Sequence, residues 1–280
     1  MQNTHLLTVF LFYFFTNQLI FAQPFEVDVT FGENGEVLLP NIQDVGFSSK
    51  TILIQSDDKV LVLLNNIPQI IRLDKSGQLD TDFGENGMAT ISIDKIIFIR
   101  EIAIQADNKI VIVGSVQDEE DSGVSDALIV RFCEDGMVDD TFGDKGGLVL
   151  DQEFVPSAIQ TVVFQADNKI ILAGHSNNRN NDGLSDRDFM LIRLYENGGL
   201  DETFGNNGVV LSDFGSLSEF YRDVEIKENG KIIATGFAKN KRGNDDFIIN
   251  QFNTDGSVDS TFGIKGQSLL DVNGGNDHVE

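Results

Sequence analysis

Five times in its 280 residues this chain repeats one turn: Asp, any residue, Thr or Asp, then Phe-Gly, two residues and a second Gly. The copies run Asp28 to Gly35, Asp80 to Gly87, Asp139 to Gly146, Asp201 to Gly208 and Asp259 to Gly266. Their phenylalanines, Phe31, Phe83, Phe142, Phe204 and Phe262, stand 52, 59, 62 and 58 residues apart. A repeat of that period makes the fold a stack of one supersecondary unit, each copy burying a face that it cannot bury alone.

A second motif runs between the turns. Ile104 to Ile110 (IQADNKI) recurs as Phe164 to Ile170 (FQADNKI), with looser copies at Ile54 to Val60 and Ile226 to Ile232. The residue before the lysine is Asp58, Asn108, Asn168 or Gly230. Asp, Asn and Gly tolerate positive φ best, so each copy predicts a tight hairpin with a left-handed residue just before the lysine. Around these turns apolar residues alternate in the two-residue period of strands. The second unit predicts strands over Met88 to Ile93, Glu101 to Gln105, Ile110 to Gly114 and Ala127 to Phe132. The third and fourth units repeat the pattern, and no stretch shows helical periodicity.

Four short strands per unit describe a propeller blade. The coils of a parallel β-helix are far shorter than sixty residues. The expected fold is therefore all-β, a β-propeller-like array of four complete four-stranded antiparallel blades plus the first strand of a fifth. An open arc rather than a closed ring suits that count. The units span 32–83, 84–142, 143–204 and 205–262, with a partial copy over 263–280. The first is irregular: Leu64 stands where the others have Gly114, Gly174 and Gly236, and its connection shrinks to Asn65 to Pro68.

The first 22 residues carry no Asp, Glu, Lys or Arg, and Leu6 to Ala22 is largely apolar. The run is short for a spanning helix and ends on a small residue, which reads as a signal peptide cleaved after Ala22. Residues 23–280 then form a single repeat domain, secreted or held at the cell surface, with no membrane contact after cleavage. Its 45 Asp and Glu against 20 Lys and Arg give a net charge of −25, which argues against nucleic acid as a partner. Cys133 is the single cysteine, so no disulfide forms within the chain.

The D-x-T-F-G-x-x-G turn, the I-Q-A-D-N-K-I hairpin and the fourth strand opening on Asp-Phe resemble the delta-60 repeat β-propeller family over roughly residues 25–272. The resemblance implies a propeller fold and bacterial export. It brings no established activity and no catalytic residues. Many members carry extra C-terminal modules, and none is expected within residues 1–280.

Most conspicuous side chains have structural roles in this reading. The Asp-x-Thr pairs form Asx and ST turns, so losing an Asp28- or Asp80-type residue costs stability rather than activity. Arg72, Arg131 and Arg193, with Gln251 in the last copy, share one strand position, and each arginine is expected to pair with an acid such as Asp126, Asp188 or Asp246. The polar loops Ser115 to Asp126, His175 to Asp188 and Ala238 to Asp246 are where function would sit. Asp118, Glu119, Glu120 and Asp121 offer oxygen ligands suited to Ca²⁺ but lack the order of a dedicated site, and read as a solvated loop. The mature chain has only His175 and His278, no zinc spacing, no nucleophile elbow and no phosphate loop. The sequence thus assigns no catalytic residue, no cofactor and no metal ligand. The reading is a non-catalytic scaffold or interaction module that meets an extracellular protein or glycan, with a homo-oligomer as one way to complete the ring. The alternatives are a secreted hydrolase or lyase with acidic residues near the ring centre, and a Ca²⁺-dependent adhesion module.

Overall fold

The computed structural model describes residues 26–38, 49–64, 68–93, 95–117, 125–150, 157–179, 185–213, 219–240, 242–271, 274 and 277. The signal segment, Asp118 to Asp121 and His278 lie outside them. Among these residues sixteen strands form four antiparallel sheets, each built from four strands in chain order. The first contains β1 (Ser49–Ile54), β2 (Val60–Leu64), β3 (Gln69–Leu73) and β4 (Met88–Thr90). The second contains β5 (Ile96–Ile104), β6 (Ile110–Gln117), β7 (Asp126–Phe132) and β8 (Gly147–Leu150). The third contains β9 (Ser157–Phe164), β10 (Ile170–Arg179), β11 (Ser185–Leu194) and β12 (Val209–Ser212). The fourth contains β13 (Glu219–Ile226), β14 (Ile232–Lys239), β15 (Asp245–Phe252) and β16 (Gln267–Leu270). Four blades stand, as the repeat predicts.

Their phase differs from the sequence reading by one strand. The strand after each Phe-Gly turn does not open a unit; it closes the preceding one. Met88–Thr90 pairs with Gln69 to Ile71, and Gln267–Leu270 pairs with Phe247 to Asn250, so β16 completes the fourth blade instead of starting a fifth. The cause is local. The Arg72 amide donates to the Gly87 carbonyl (3.1 Å) and the Asp80 amide to the Arg72 carbonyl (3.0 Å), folding the chain back onto the strand it has just left. Periodicity fixes the length of a unit and not where its sheet begins.

The hairpins form as their sequences require. Asp58, Asn108 and Asn168 have φ of 65°, 63° and 64°, and Gly230 has 78°. The Asn108 amide donates to the Gln105 carbonyl (2.9 Å), and the Gln105 amide to the Lys109 carbonyl (2.8 Å).

Each inner blade divides its side chains between two cores. Along β6, Ile110 and Ile112 join a cluster with Leu61, Leu63 and Ile70 of the first blade. Val111 and Val113 face the other way, into a cluster with Ile159, Ile170 and Leu172 of the third. Ile171 and Ala173 then pack with Tyr221, Ile232 and Ala234 of the fourth. The two-residue pleat thus turns one buried strand into a contribution to two interfaces. First strands of successive blades adjoin one another, which puts them on the inside of the array.

The two end blades each keep an uncovered face. Ile52 is 59% exposed, whereas its counterparts Ile102, Val162 and Val224 are 2%, 6% and 3% exposed. At the other end Ile249 is 37% exposed, against 0% for Ile70, Ile129 and Leu191. No core cluster joins the fourth blade to the first among the described residues. Phe31 and Val37, from the N-terminal copy of the turn, cover part of the first blade by packing on Leu64, Ile71 and Leu73.

Candidate functional site

Each blade has a turn edge, which carries the hairpins and the Phe-Gly turns, and a loop edge between its second and third strands. At the turn edge the repeated residues converge on one carboxylate. Asp201 Oδ1 accepts the Thr203 amide (3.1 Å) and hydroxyl (2.6 Å), while Oδ2 accepts Arg193 Nε (2.7 Å) and lies 3.2 Å from Lys169 Nζ. The same guanidinium lies over Phe204, 4.5 Å from the ring centre, and donates from Nη1 to the Thr254 carbonyl of the next blade (2.5 Å). Asp139 repeats this with Thr141, Arg131, Lys109 and Phe142, and Asp80 with Arg72, Lys59 and Phe83. The hairpin lysine, the strand arginine and the turn Asp-Thr-Phe are therefore one unit.

The arginines pair with acids as expected, but with different ones. Asp126, Asp188 and Asp246 lie five residues before Arg131, Arg193 and Gln251, an odd spacing that points them to the opposite face of the strand. Asp126 faces Lys95 instead (3.8 Å). The partners lie eight residues on, across the turn. In the fourth blade Gln251 Nε2 donates to Asp259 Oδ2, and Lys231 supplies the positive charge at 2.6 Å. Burial would raise the Asp139 carboxyl, but the Thr141 hydroxyl and amide, with Arg131 and Lys109, outweigh it and bring it down to about 2. Asp80, Asp201 and Asp259 are lowered too, Asp259 first by Lys231. All four act as ionised structural ligands, which leaves them unsuited to proton transfer near neutral pH.

The loop edge is built differently. Here the first strand of each of the last three blades bulges, with Arg100, Gln160 and Arg222 as the extra residues in β5, β9 and β13. Opposite each bulge lies Gly114, Gly174 or Gly236, where a Cβ would run into the carbonyl oxygen of Phe98, Ala158 or Phe220. The bulge pushes that carbonyl toward the partner strand, and glycine makes room. Past the bulges the strands continue beyond their sequence-predicted ends, so His175 and Arg187 belong to β10 and β11 rather than to a loop.

A cavity of about 440 Å³ opens where these features meet. Its wall includes Arg100 from the second blade, Gln160, His175 and Arg187 from the third, and Phe220 and Arg222 from the fourth. Arg222 donates to Gln160 Oε1 (3.3 Å) and lies over the Phe220 and Phe237 rings at 4.8 and 5.4 Å. The His175 ring stands 5.7 Å from that of Phe220 and is 8% exposed, and its Nδ1 has no hydrogen-bond partner. Burial, reinforced by Arg187, Arg100 and Arg222, pushes the imidazole down to about 3, so it is neutral at ordinary pH. Sequence reasoning placed His175 at a functional loop but missed Arg100 and Arg222. Their column is visible only once the bulges are known.

Two carboxylate clusters also lie on the last two blades: Asp188 with Asp213 and Glu219, and Asp246 with Asp271 and Asp277, each with oxygens within 4.8 Å of one another. Such oxygens are of the kind Ca²⁺ takes. A larger groove of about 580 Å³ runs between the outer strands of the first two blades, where Ile91, Ile93 and Leu148 make it mostly apolar.

A match to a protein family supports the architecture. Residues 105–142, 165–204 and 227–262 match the family described as "Domain of unknown function (DUF5122) beta-propeller". The chain carries a β-propeller repeat domain. Each matched stretch runs from a hairpin turn to the phenylalanine of the following Phe-Gly turn, so it spans the paired motifs of the turn edge. A search of curated proteins finds no significant match. Among solved structures, the propeller is similar to the PQQ-bound aldose sugar dehydrogenase of Streptomyces coelicolor, at 14% identity and a TM-score of 0.41, covering 75% of this chain and 61% of that one. It is also similar to extracellular domains 1-2 of Drosophila Semaphorin 1a, at 8% identity and a TM-score of 0.32, covering 72% and 52%. The chain thus spans less than two thirds of either structure.

Proposed function

We propose that this β-propeller is an exported, non-catalytic interaction module that engages an extracellular partner at its loop edge. The observation that carries the reading is the division of labour between edges. The repeated acids of the turn edge are bound up in holding blades together, whereas the loop edge gathers polar side chains from three blades around one cavity. Binding residues commonly occupy such irregular positions on a rigid scaffold. Export rests on the apolar first 22 residues and the small residue that ends them.

The test uses the protein recovered from the medium of cells expressing the full chain. Its N-terminus is expected at Gln23. On an array of extracellular glycans and peptides it should bind a subset without changing their masses. Turnover of an array member would overturn the non-catalytic reading, and retention inside the cells would overturn export.

A further inference from the structure

The three arginines at the loop edge break the pattern of the rest of the molecule. The chain carries 45 acidic against 20 basic side chains, yet no Asp or Glu is among the described residues that line this cavity. Arg100, Arg187 and Arg222 come from three different blades. At the turn edge, by contrast, every strand arginine has a carboxylate within 2.8 Å of its Nε. No carboxylate pairs with the loop-edge three among the described residues, and Arg187 Nε is buried without a partner. Gathering three like charges around one cavity is unfavourable unless something negative relieves it. A fold pressed only by stability would have no reason to place them together.

We propose that this cavity binds a carboxylate-bearing small ligand, with Arg100, Arg187 and Arg222 as its counter-charges and His175 as a hydrogen-bonding partner. The reading rests on the loop edge being the recognition surface. Guanidinium forks match the two oxygens of a carboxylate and hold them in a fixed plane. The unpartnered His175 Nδ1 supplies one further polar contact at the cavity wall. Phe98 and Phe220 give the cavity apolar flanks, and its volume suits one sugar ring or a compact organic acid.

Calorimetric titration of the mature protein with citrate, with tri-galacturonate and with neutral galactotriose decides the matter. Saturable binding of citrate, the uronate or both is expected, without binding of the neutral sugar. Citrate alone points to a free organic acid, and the uronate alone to an acidic glycan. Arg100→Gln and Arg222→Gln should each weaken binding by about tenfold or more, the loss expected for one charge-assisted contact. Both side chains are exposed, so the unfolding midpoint should hold. Lys145→Gln, on the turn edge, should leave affinity unchanged. Failure of both acids to bind, or binding indifferent to the two arginine variants, overturns the proposal. Array binding that survives in the Arg100→Gln/Arg222→Gln protein would overturn this site while leaving the interaction module intact. Citrate binding with an empty array would do the reverse.

Discussion

The two edges of each blade are made by the same strands and obey opposite rules. At the turn edge one arrangement recurs with little change: Asp80, Asp139 and Asp201 each hold a lysine, an arginine and the start of their own Phe-Gly turn. At the loop edge the equivalent positions diverge, with Arg100, Gln160 and Arg222 at successive bulges and Ser115, His175 and Phe237 at successive strand positions. Repetition marks what every blade needs in order to dock on its neighbour. Divergence marks what the array does once docked. In a repeat protein the internal copies therefore serve as controls for one another, and an outlier position draws attention to function more than an invariant one does.

The sharpest way to break this contrast is to remove a turn-edge carboxylate. Asp201 is fully buried and satisfies Arg193, Lys169 and Thr203 together. Asp201→Ala leaves the buried guanidinium uncompensated, and denaturant unfolding should show a loss of about 3–5 kcal/mol. Asp28 has the same motif and the same bonds to Thr30, at 2.9 and 2.6 Å, but it is exposed. The shared motif alone predicts a loss at Asp28 too, but with no buried cation to neutralise, Asp28→Ala should leave the unfolding midpoint close to that of the parent. Equal losses at the two sites would mean that the turn itself, rather than the ion pairs between blades, carries the stability.

A smaller effect is expected where the bulge meets the glycine. Gly174→Ala sets a methyl group against the Ala158 carbonyl, a backbone atom that cannot rotate away. Overpacking of this kind costs about 1–3 kcal/mol, measurable by the same unfolding titration. The first blade supplies the comparison. Its bulge lies between Ser49 and Thr51, and Leu64 occupies the glycine position at 4% exposure. If Gly174→Ala proves neutral, the third blade relaxes as the first has done, and the glycine is a convenience of packing.

The sequence disclosed the turn edge more fully than the loop edge, for physical reasons. Tight turns are written locally, in residues with positive φ and in Asp-x-Thr bonds that reach two positions, so Asn108 and Asp139 were readable. The arginine partners were not read correctly, although the constant eight-residue spacing of Arg72–Asp80, Arg131–Asp139 and Arg193–Asp201 held the signal. A strand register with even spacing would have ruled out Asp126. The cavity was out of reach because a bulge inserts one residue and inverts the in–out pattern beyond it. Arg100 and Arg222 then fall on faces that the two-residue period assigns wrongly. Blade phase failed similarly: a periodic sequence has no privileged starting strand.

Acid sensitivity separates the edges by a change that is small at each step of pH. His175 is held down to about 3 in the folded protein, whereas an unfolded histidine titrates near 6.5. As pH falls below 6.5 the unfolded chain takes up a proton that the folded one refuses, so this contribution to stability is present above 6.5 and drains away down to about 3. The slope approaches 1.4 kcal/mol per pH unit. Asp139 works in a lower window. Its carboxyl is lowered from 3.8 to about 2, so its contribution is whole above 3.8 and is lost as pH falls toward 2. Urea unfolding at half-unit steps from pH 7 to 4 should therefore show a decline that His175→Gln flattens and Asp139→Asn leaves in place. Below about pH 3, where the imidazole is protonated in both states, the order reverses, and Asp139→Asn becomes the variant with the shallower curve. If His175→Gln has the parent's slope between pH 6 and 4, the imidazole is protonated in the folded state. The imidazole is then hydrated at the loop edge, and the contrast between the two edges would narrow to one of geometry alone.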